Sequence, residues 1–493
     1  MDNKKHLIDL ICKGHCKFYK ESKEEDLFCE GFKFFERLSF SLPDGNSDIN
    51  KLPAAFHHDS ILFNILCKRC DFLVDGCDYR DKNYSGEASP CGGFILMNRF
   101  LKLSPHCSLK ILEKPYLYDI KNDELYELDK CAEDFIKKCN GINIFPLNNY
   151  EDKFINFCLK ENLLEISDKP KSIIQNSQFT IHNYNSPIPS LRYLELQLTR
   201  RCNLSCKHCY LGKPRDIELS LNSVKGILKD FEDMQGLRLL ISGGEPLLYS
   251  YFWEFNEMLP DYNFRKVLLT NGWFLKKEEV SRLNVHEVQV SLDGLEKGHD
   301  MLRGKGSFKM AISAMDAVKN EGIDLSVATM VHPHNINDFM AMADILKNYN
   351  LLEWGIDIPL VAGNLKIEKD FVISPEKGAE YLKFAFGGSY HGGSEGYACG
   401  RHICTIMPSG KVCKCGFYED QPLGNIEEGL IICWERNYHI PLKELQCHDC
   451  LYIEECQGGC RFRAETSISP DPIMCAFYKK QNLGTELAGS NNL

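Results

Sequence analysis

The chain has no long hydrophobic run: nothing in it approaches the roughly 20 apolar residues that a membrane-spanning helix needs. Its opening, Met1-Asp-Asn-Lys-Lys-His6, is polar and lacks the apolar segment of a secretory signal. There is no internal repeat and no low-complexity tract, which excludes solenoid and collagen-like architectures. Basic charge is short as well. Lys and Arg number 58 against 69 Asp and Glu, a net charge of −11, whereas a nucleic-acid partner needs a basic footprint. These absences predict a cytoplasmic chain that meets neither membrane nor nucleic acid.

Cysteine is present in excess, at 24 residues. In a secreted chain they would read as disulfides. In a cytosolic chain with C-x2-C pairs they read as metal ligands, and a reducing, anaerobic host is expected. At 493 residues the chain is too long for one ordinary core, and about two to four domains are expected.

Residues 1–95 are cysteine-rich and irregular. Residues 96–168 change character. Strands are predicted at 108–112, 116–120 and 124–128, then a helix capped by Asp129 and stopped by Gly141, then a second helix over about 150–161. The polar, proline-punctuated stretch 169–190 reads as a linker. Across 191–385, apolar strands at 193–198, 237–242, 266–270, 287–292, 325–331 and 353–358 alternate with helical stretches such as 221–234, 308–321 and 337–347. Strand–helix alternation means parallel βαβ units with right-handed crossovers. Six units fall short of the eight of a closed barrel, so a partial (β/α)6 barrel, open on one side, is expected. Residues 386–480 are again cysteine-rich with few regular elements expected, and 481–493 form a tail.

Directly after the first barrel strand, Cys202, Cys206 and Cys209 stand in the spacing C-x3-C-x2-C. Three thiolates on one loop can hold three irons of a [4Fe–4S] cube and leave the fourth open to a small molecule, whereas electron-transfer clusters normally use four cysteines. After the second strand comes Ser242-Gly-Gly-Glu-Pro246, and after the third Thr270-Asn-Gly272. After the fourth comes Ser291-Leu-Asp-Gly294, followed by Arg303-Gly-Lys-Gly-Ser-Phe308.

In this order, on these strands, the motifs resemble the radical SAM superfamily. The resemblance implies a [4Fe–4S] cluster at Cys202, Cys206 and Cys209 that binds S-adenosylmethionine (SAM) and, once reduced, breaks a carbon–sulfur bond of it. The resulting 5′-deoxyadenosyl radical takes a hydrogen atom from the substrate. By the same resemblance Gly243, Gly244 and Glu245 meet the SAM amino group, Asn271, Ser291 and Asp293 lie at the cofactor, and Arg303 lies near its carboxylate. His208 stands where many members carry an aromatic residue and is counted with the cofactor-binding set. Flavodoxin or ferredoxin is the expected reductant.

The C-terminal spacing is Cys447-x2-Cys450-x5-Cys456-x3-Cys460-x14-Cys475, with Cys399, Cys404 and Gly410-x4-Cys415 upstream and Leu423-Gly-Asn-Ile426 between. This resembles the SPASM domain, which holds two auxiliary [4Fe–4S] clusters. The resemblance assigns Cys399, Cys404, Cys415 and Cys460 to one, and Cys447, Cys450, Cys456 and Cys475 to the other, for three clusters in all. Cys413 could replace Cys415, and Cys433 reads as a buried thiol. Relatives that make formylglycine carry an aspartate base directly after the cysteine matching Cys415. Gly416 stands there, which argues against that activity, though Glu419 or Asp420 could substitute.

The segment 96–168 resembles the PqqD-like winged helix, the RiPP recognition element, in which a substrate leader peptide adds a strand to a sheet edge. Upstream, Cys67-x2-Cys70-x6-Cys77-x13-Cys91 has metal-ligand spacing, and both a further cluster and a structural zinc fit it. Cys12, Cys16 and Cys29, with His15, form a weaker trio. Cys107, Cys131, Cys139 and Cys158 read as core. The expected function is a radical SAM/SPASM oxidoreductase that installs a thioether or other crosslink in a peptide or protein. The alternatives are a cofactor-biosynthesis decarboxylase of haem type or a sulfatase-maturing enzyme, and a non-enzymatic iron–sulfur redox protein.

Overall fold

Asp129 ends a run of strands and begins a helix by accepting a hydrogen bond from the Ala132 amide at 2.8 Å, so one carboxylate fixes where the chain changes periodicity. The structure, a computed structural model, describes residues 101–139, 149–166, 189–388 and 396–479. The chain separates into two units, Met1–Ile181 and His182–Leu493. In the first, β1 (Leu101–Leu103) pairs antiparallel with β5 (Leu164–Ile166), and β2 (Cys107–Ile111), β3 (Pro115–Asp119) and β4 (Glu124–Glu127) form an antiparallel meander. Helices α1 (Lys130–Lys138) and α2 (Asn149–Lys160) follow the meander. The β1–β5 pair was not expected; its strands are too short for their alternation to stand out. Cys107, Cys139 and Cys158 are buried, but Cys131 is exposed on α1 and is not a core residue. Gly141 and the proposed linker lie largely outside the described residues.

In the second unit, apolar residues at every second position build the core. Leu194 and Leu196, Leu239 and Ile241, Val288 and Val290, and Leu325 and Val327 are all buried in it. They lie on β6 (Tyr193–Gln197), β7 (Arg238–Ser242), β9 (Glu287–Ser291) and β10 (Asp324–Met330), with β8 (Arg265–Thr270) between and β11 (Glu353–Asp357) at the edge. Side chains alternate across a strand, so these residues face the helices and their neighbours face the inside. The helix side is supplied by α3 (Leu221–Asp233), α4 (Phe252–Met258), α6 (Ser307–Glu321) and α7 (Phe339–Leu346), while Leu302 of α5 (Glu296–Arg303) packs in a separate cluster with Leu365 and Phe371. On α3, Val224, Ile227, Leu228 and Phe231 recur at helical spacing and are buried.

All six strands β6 to β11 are parallel neighbours in chain order. The sheet then continues past β6 in a way the sequence did not announce. β12 (Ile403–Ile406) pairs parallel with β6, and β13 (Lys411–Cys413) and β14 (Gly424–Asn425) return antiparallel. The region expected to hold few regular elements thus caps the free edge of β6, which would otherwise present unpaired backbone groups. Among the described residues no helix is long and apolar enough to cross a membrane.

Candidate active site

The loop that carries Cys202, Cys206 and Cys209 leaves β6 and is held from the far side of the barrel. After β11, the Asn364 amide donates to the Cys209 carbonyl at 3.0 Å, and Asn364 Nδ2 donates to the Cys206 carbonyl at 2.8 Å. Gly363 packs so closely that a Cβ there would lie 2.2 Å from the Cys209 carbonyl oxygen. Lys207 pairs with Glu368 at 2.7 Å. Nothing local in the sequence marks Asn364 for this task.

The three thiols are free, and each lies in the electrostatic field of the other two. Burial pushes the Cys202 thiol up to about 11 and Cys206 up to about 12, and raises Cys209 as well. Ionising them therefore requires a cation. Among the described residues no three cysteines bring their sulfurs within 4.8 Å of one another.

The second loop packs against the first. A Cβ on Gly243, whose φ is +145°, would meet the Thr199 carbonyl at 2.6 Å, and one on Gly244 would meet the Arg201 carbonyl at 2.4 Å. The close approach these glycines permit is to the cysteine loop itself. Glu245, fully buried, accepts from Thr270 Oγ1 at 2.8 Å and from the Asn271 amide at 3.0 Å. Burial nevertheless pushes its carboxyl up to about 7. Asn271 Nδ2 donates to Asn203 Oδ1 at 3.0 Å and reaches Cys202 Sγ at 4.0 Å.

Asp293 anchors the opposite wall. It binds Arg303 Nε and accepts from the Met330 amide at 2.7 Å. Its own amide donates to His299 Nδ1 at 2.9 Å, and its carbonyl accepts from Asn335 Nδ2 at 2.8 Å. Burial opposes the Asp293 charge, yet Arg303, His208 and His299 hold its carboxyl well below the usual range. Arg303 is thereby aimed at Cys206 and Cys209, whose charges it feels. Burial, then Arg303, pushes His208 down to about 3, and its Nδ1 is buried without a partner. Ser291, half-buried, ends β9 on its inner face.

In the C-terminal region, Cys399, Cys415 and Cys460 lie in one another's field. Cys447, Cys450, Cys456 and Cys475 form a second group. Cys404 is not brought to the first. It is buried in the hydrophobic core beside Cys413 and Cys433. Its neighbour on β12, Thr405, donates to Glu195 on the inner face at 2.8 Å, so alternation turns Cys404 outward. Cys413 faces Glu419 and Lys411, and Cys415 is the residue that joins the trio.

A Cβ on Gly416 would lie 2.7 Å from Tyr210 Oη and 3.2 Å from Gln197 Nε2. The place where formylglycine-making relatives carry their base is thus filled by a tyrosine hydroxyl. His106, Cys107 and Asp119 also cluster within 4.8 Å, but Asp119 is engaged in capping its turn through the Lys121 and Asn122 amides. Cys67, Cys70, Cys77, Cys91, Cys12, His15, Cys16 and Cys29 lie outside the described residues.

The model of the Radical SAM superfamily matches residues 196–346. Mycofactocin maturase MftC of Mycobacterium ulcerans is 31% identical over 62% of this chain and 92% of its own length. This chain belongs to the radical SAM superfamily. A second relative in it, the AdoMet-dependent heme synthase of Nitratidesulfovibrio vulgaris, is 24% identical over 56% of this chain and 89% of its own. Streptococcus suis SuiB, solved with its precursor peptide SuiA, shares the fold at a TM-score of 0.56 and 15% identity, over 76% of this chain and 100% of SuiB. The chain is therefore a radical SAM enzyme of oxidoreductase type, and the superfamily's [4Fe–4S] cluster and SAM are its cofactors. The residues fit them: three converging thiols beside Arg303, a buried carboxylate at Glu245 suited to an ammonium, and the unpartnered His208 Nδ1.

Proposed function

We propose that this radical SAM enzyme modifies a ribosomally made peptide, installing a thioether or similar crosslink. The observation that carries the reading is the likeness to mycofactocin maturase over 92% of that protein. SuiB, of the same fold, was solved with a precursor peptide in place. Bound at Cys202, Cys206 and Cys209, the reduced cluster supplies the electron that cleaves SAM. The chain's own residues do the placing. Glu245 takes the ammonium of SAM, Arg303 is held by Asp293 for its carboxylate, and Ser291 and Asn271 flank it.

Cys399, Cys415 and Cys460 would hold one auxiliary cluster, and Cys447, Cys450, Cys456 and Cys475 a second. A flavodoxin or ferredoxin would supply electrons in the cytoplasm, and the thiols at 67–91 would hold a further cluster or zinc. The segment 96–168 would receive a leader strand. In its described part β4 is an edge strand, and Phe157 is exposed with its ring 5.8 Å from that of Tyr126 on β4. An extended peptide added there gains backbone hydrogen bonds and an aromatic contact.

The test is anaerobic incubation of the reconstituted enzyme with SAM, a reductant and the short peptides encoded beside its gene. A mass loss of two hydrogens in one peptide is expected. SAM cleavage without change in any peptide would favour a small-molecule substrate, as the heme synthase relative suggests.

A further inference from the structure

Parallel barrels carry their chemistry at the C-terminal ends of their strands. Of the acidic residues on β6 to β11, only Asp357 stands at such an end. Glu287, Asp324 and Glu353 are first residues of their strands, and Glu195 lies in the middle of β6. Glu195 is also spent. It accepts from Gln197, Tyr210, Ser242 and Thr405, which uses the roughly four acceptor positions of a carboxylate.

Asp357 is different. Trp354 is buried in the helix-side core and Ile356 packs on it, so alternation turns Asp357 to the inside of the barrel. Its carboxylate is exposed, and no hydrogen bond reaches it among the described residues. Burial by the surrounding walls nonetheless raises its carboxyl above the ordinary range.

Two landmarks locate this carboxylate. Asp357 pairs in register with Met330, whose amide binds Asp293, the residue that fixes Arg303 at the SAM site. Asp357 also feels the charge of Arg463, which is locked by hydrogen bonds of 2.8 to 3.2 Å to the buried Asp471. Arg463 follows Cys460 of the C-terminal trio by three residues. Asp357 thus lies in the field of Asp293, which holds Arg303, and of Arg463, which follows the C-terminal trio.

We infer that Asp357 accepts the proton released when the peptide is crosslinked, an inference that rests on the peptide reading above. One C–H and one heteroatom–H bond break, and one carbon–heteroatom bond forms. The hydrogen atom leaves with the adenosyl group of SAM as 5′-deoxyadenosine. The electron would be taken by the iron–sulfur cluster that Cys399, Cys415 and Cys460 would hold. The proton goes to the Asp357 carboxylate and from there to solvent.

The test compares wild type with Asp357→Asn on the neighbouring-gene peptide, synthesised with deuterium at its reacting carbon. Asp357→Asn should bind the peptide within threefold of wild type by fluorescence anisotropy. It should still move deuterium into 5′-deoxyadenosine, yet form crosslink about 100-fold more slowly, the usual scale for losing a general base. Asp357→Glu should recover part of the rate and serves if the Asn variant does not fold. Crosslinking at the wild-type rate by Asp357→Asn would overturn the assignment. So would loss of peptide binding or of deuterium transfer, since either makes Asp357 an anchor. A wild type that crosslinks no peptide overturns both the assignment and the reading beneath it.

Discussion

Asn364 Nδ2 donates to the carbonyl of Cys206 at 2.8 Å across 158 residues of sequence. The bond ties the segment after the last barrel strand to the loop after the first. Together with the Asn364 amide on the Cys209 carbonyl, it closes the open barrel around its cysteines. A net hydrogen bond contributes about 1 kcal/mol, or about fivefold in an equilibrium. Asn364→Ala should therefore release iron from the three-thiol loop about fivefold more readily, read as loss of the visible cluster absorbance against a chelator. Unchanged retention would show that Gly363 and the Lys207–Glu368 pair suffice.

The C-terminal thiols make a sharper test. Cys404 is fully buried in the hydrophobic core, whereas Cys415 senses Cys399 and Cys460. Cys404→Ala should leave iron per chain unchanged and cost about 1 kcal/mol of stability, as expected for a small buried truncation. Cys415→Ala should lower iron content. Equal iron loss in both variants would return Cys404 to the ligand set.

That contrast shows what the sequence could and could not carry. The six parallel strands were legible because alternation, βα order and glycine-bearing loops are local signals. The site motifs were legible because each falls just after a strand. The ligand spacing at Cys404 does not state which face of a strand a thiol occupies; Thr405, bonded to Glu195 on the inner face, turns it outward. Asn364 carried no local signal, and Asp357 only its place at the end of a strand. Their roles arise only when strands far apart in sequence are laid side by side.

Gly416 and Tyr210 offer a packing test. A methyl group on Gly416 would sit 2.7 Å from the Tyr210 hydroxyl, and overpacking of this kind costs about 1–3 kcal/mol. Tyr210 has little room to yield. Its hydroxyl accepts from Gln197 at 2.7 Å and donates to Glu195 at 3.3 Å, and its ring lies 4.6 Å from that of Phe417. Gly416→Ala should lower the urea midpoint, and the penalty should shrink when Tyr210→Phe removes the hydroxyl. Equal penalties in both backgrounds would mean that the hydroxyl is not what the glycine accommodates.

Glu245 makes stability depend on pH. Its carboxyl, ordinarily near 4.5, is pushed up to about 7 by burial, against the hydrogen bonds from Asn271 and Thr270. The folded chain therefore holds a proton that the unfolded chain releases. The corresponding stability is fully present below pH 4.5 and is lost as pH rises through about 7. The difference corresponds to about 3 kcal/mol for a fully buried group. Cofactor-free protein should accordingly show a falling urea midpoint between pH 5 and pH 8. Glu245→Gln cannot ionise, can keep its amide oxygen on the Asn271 amide while its NH2 donates to the Thr270 hydroxyl, and should flatten that fall. An unchanged slope in the variant would assign the pH dependence to another group. It would also remove the argument that Glu245 is a buried charge in want of the SAM ammonium.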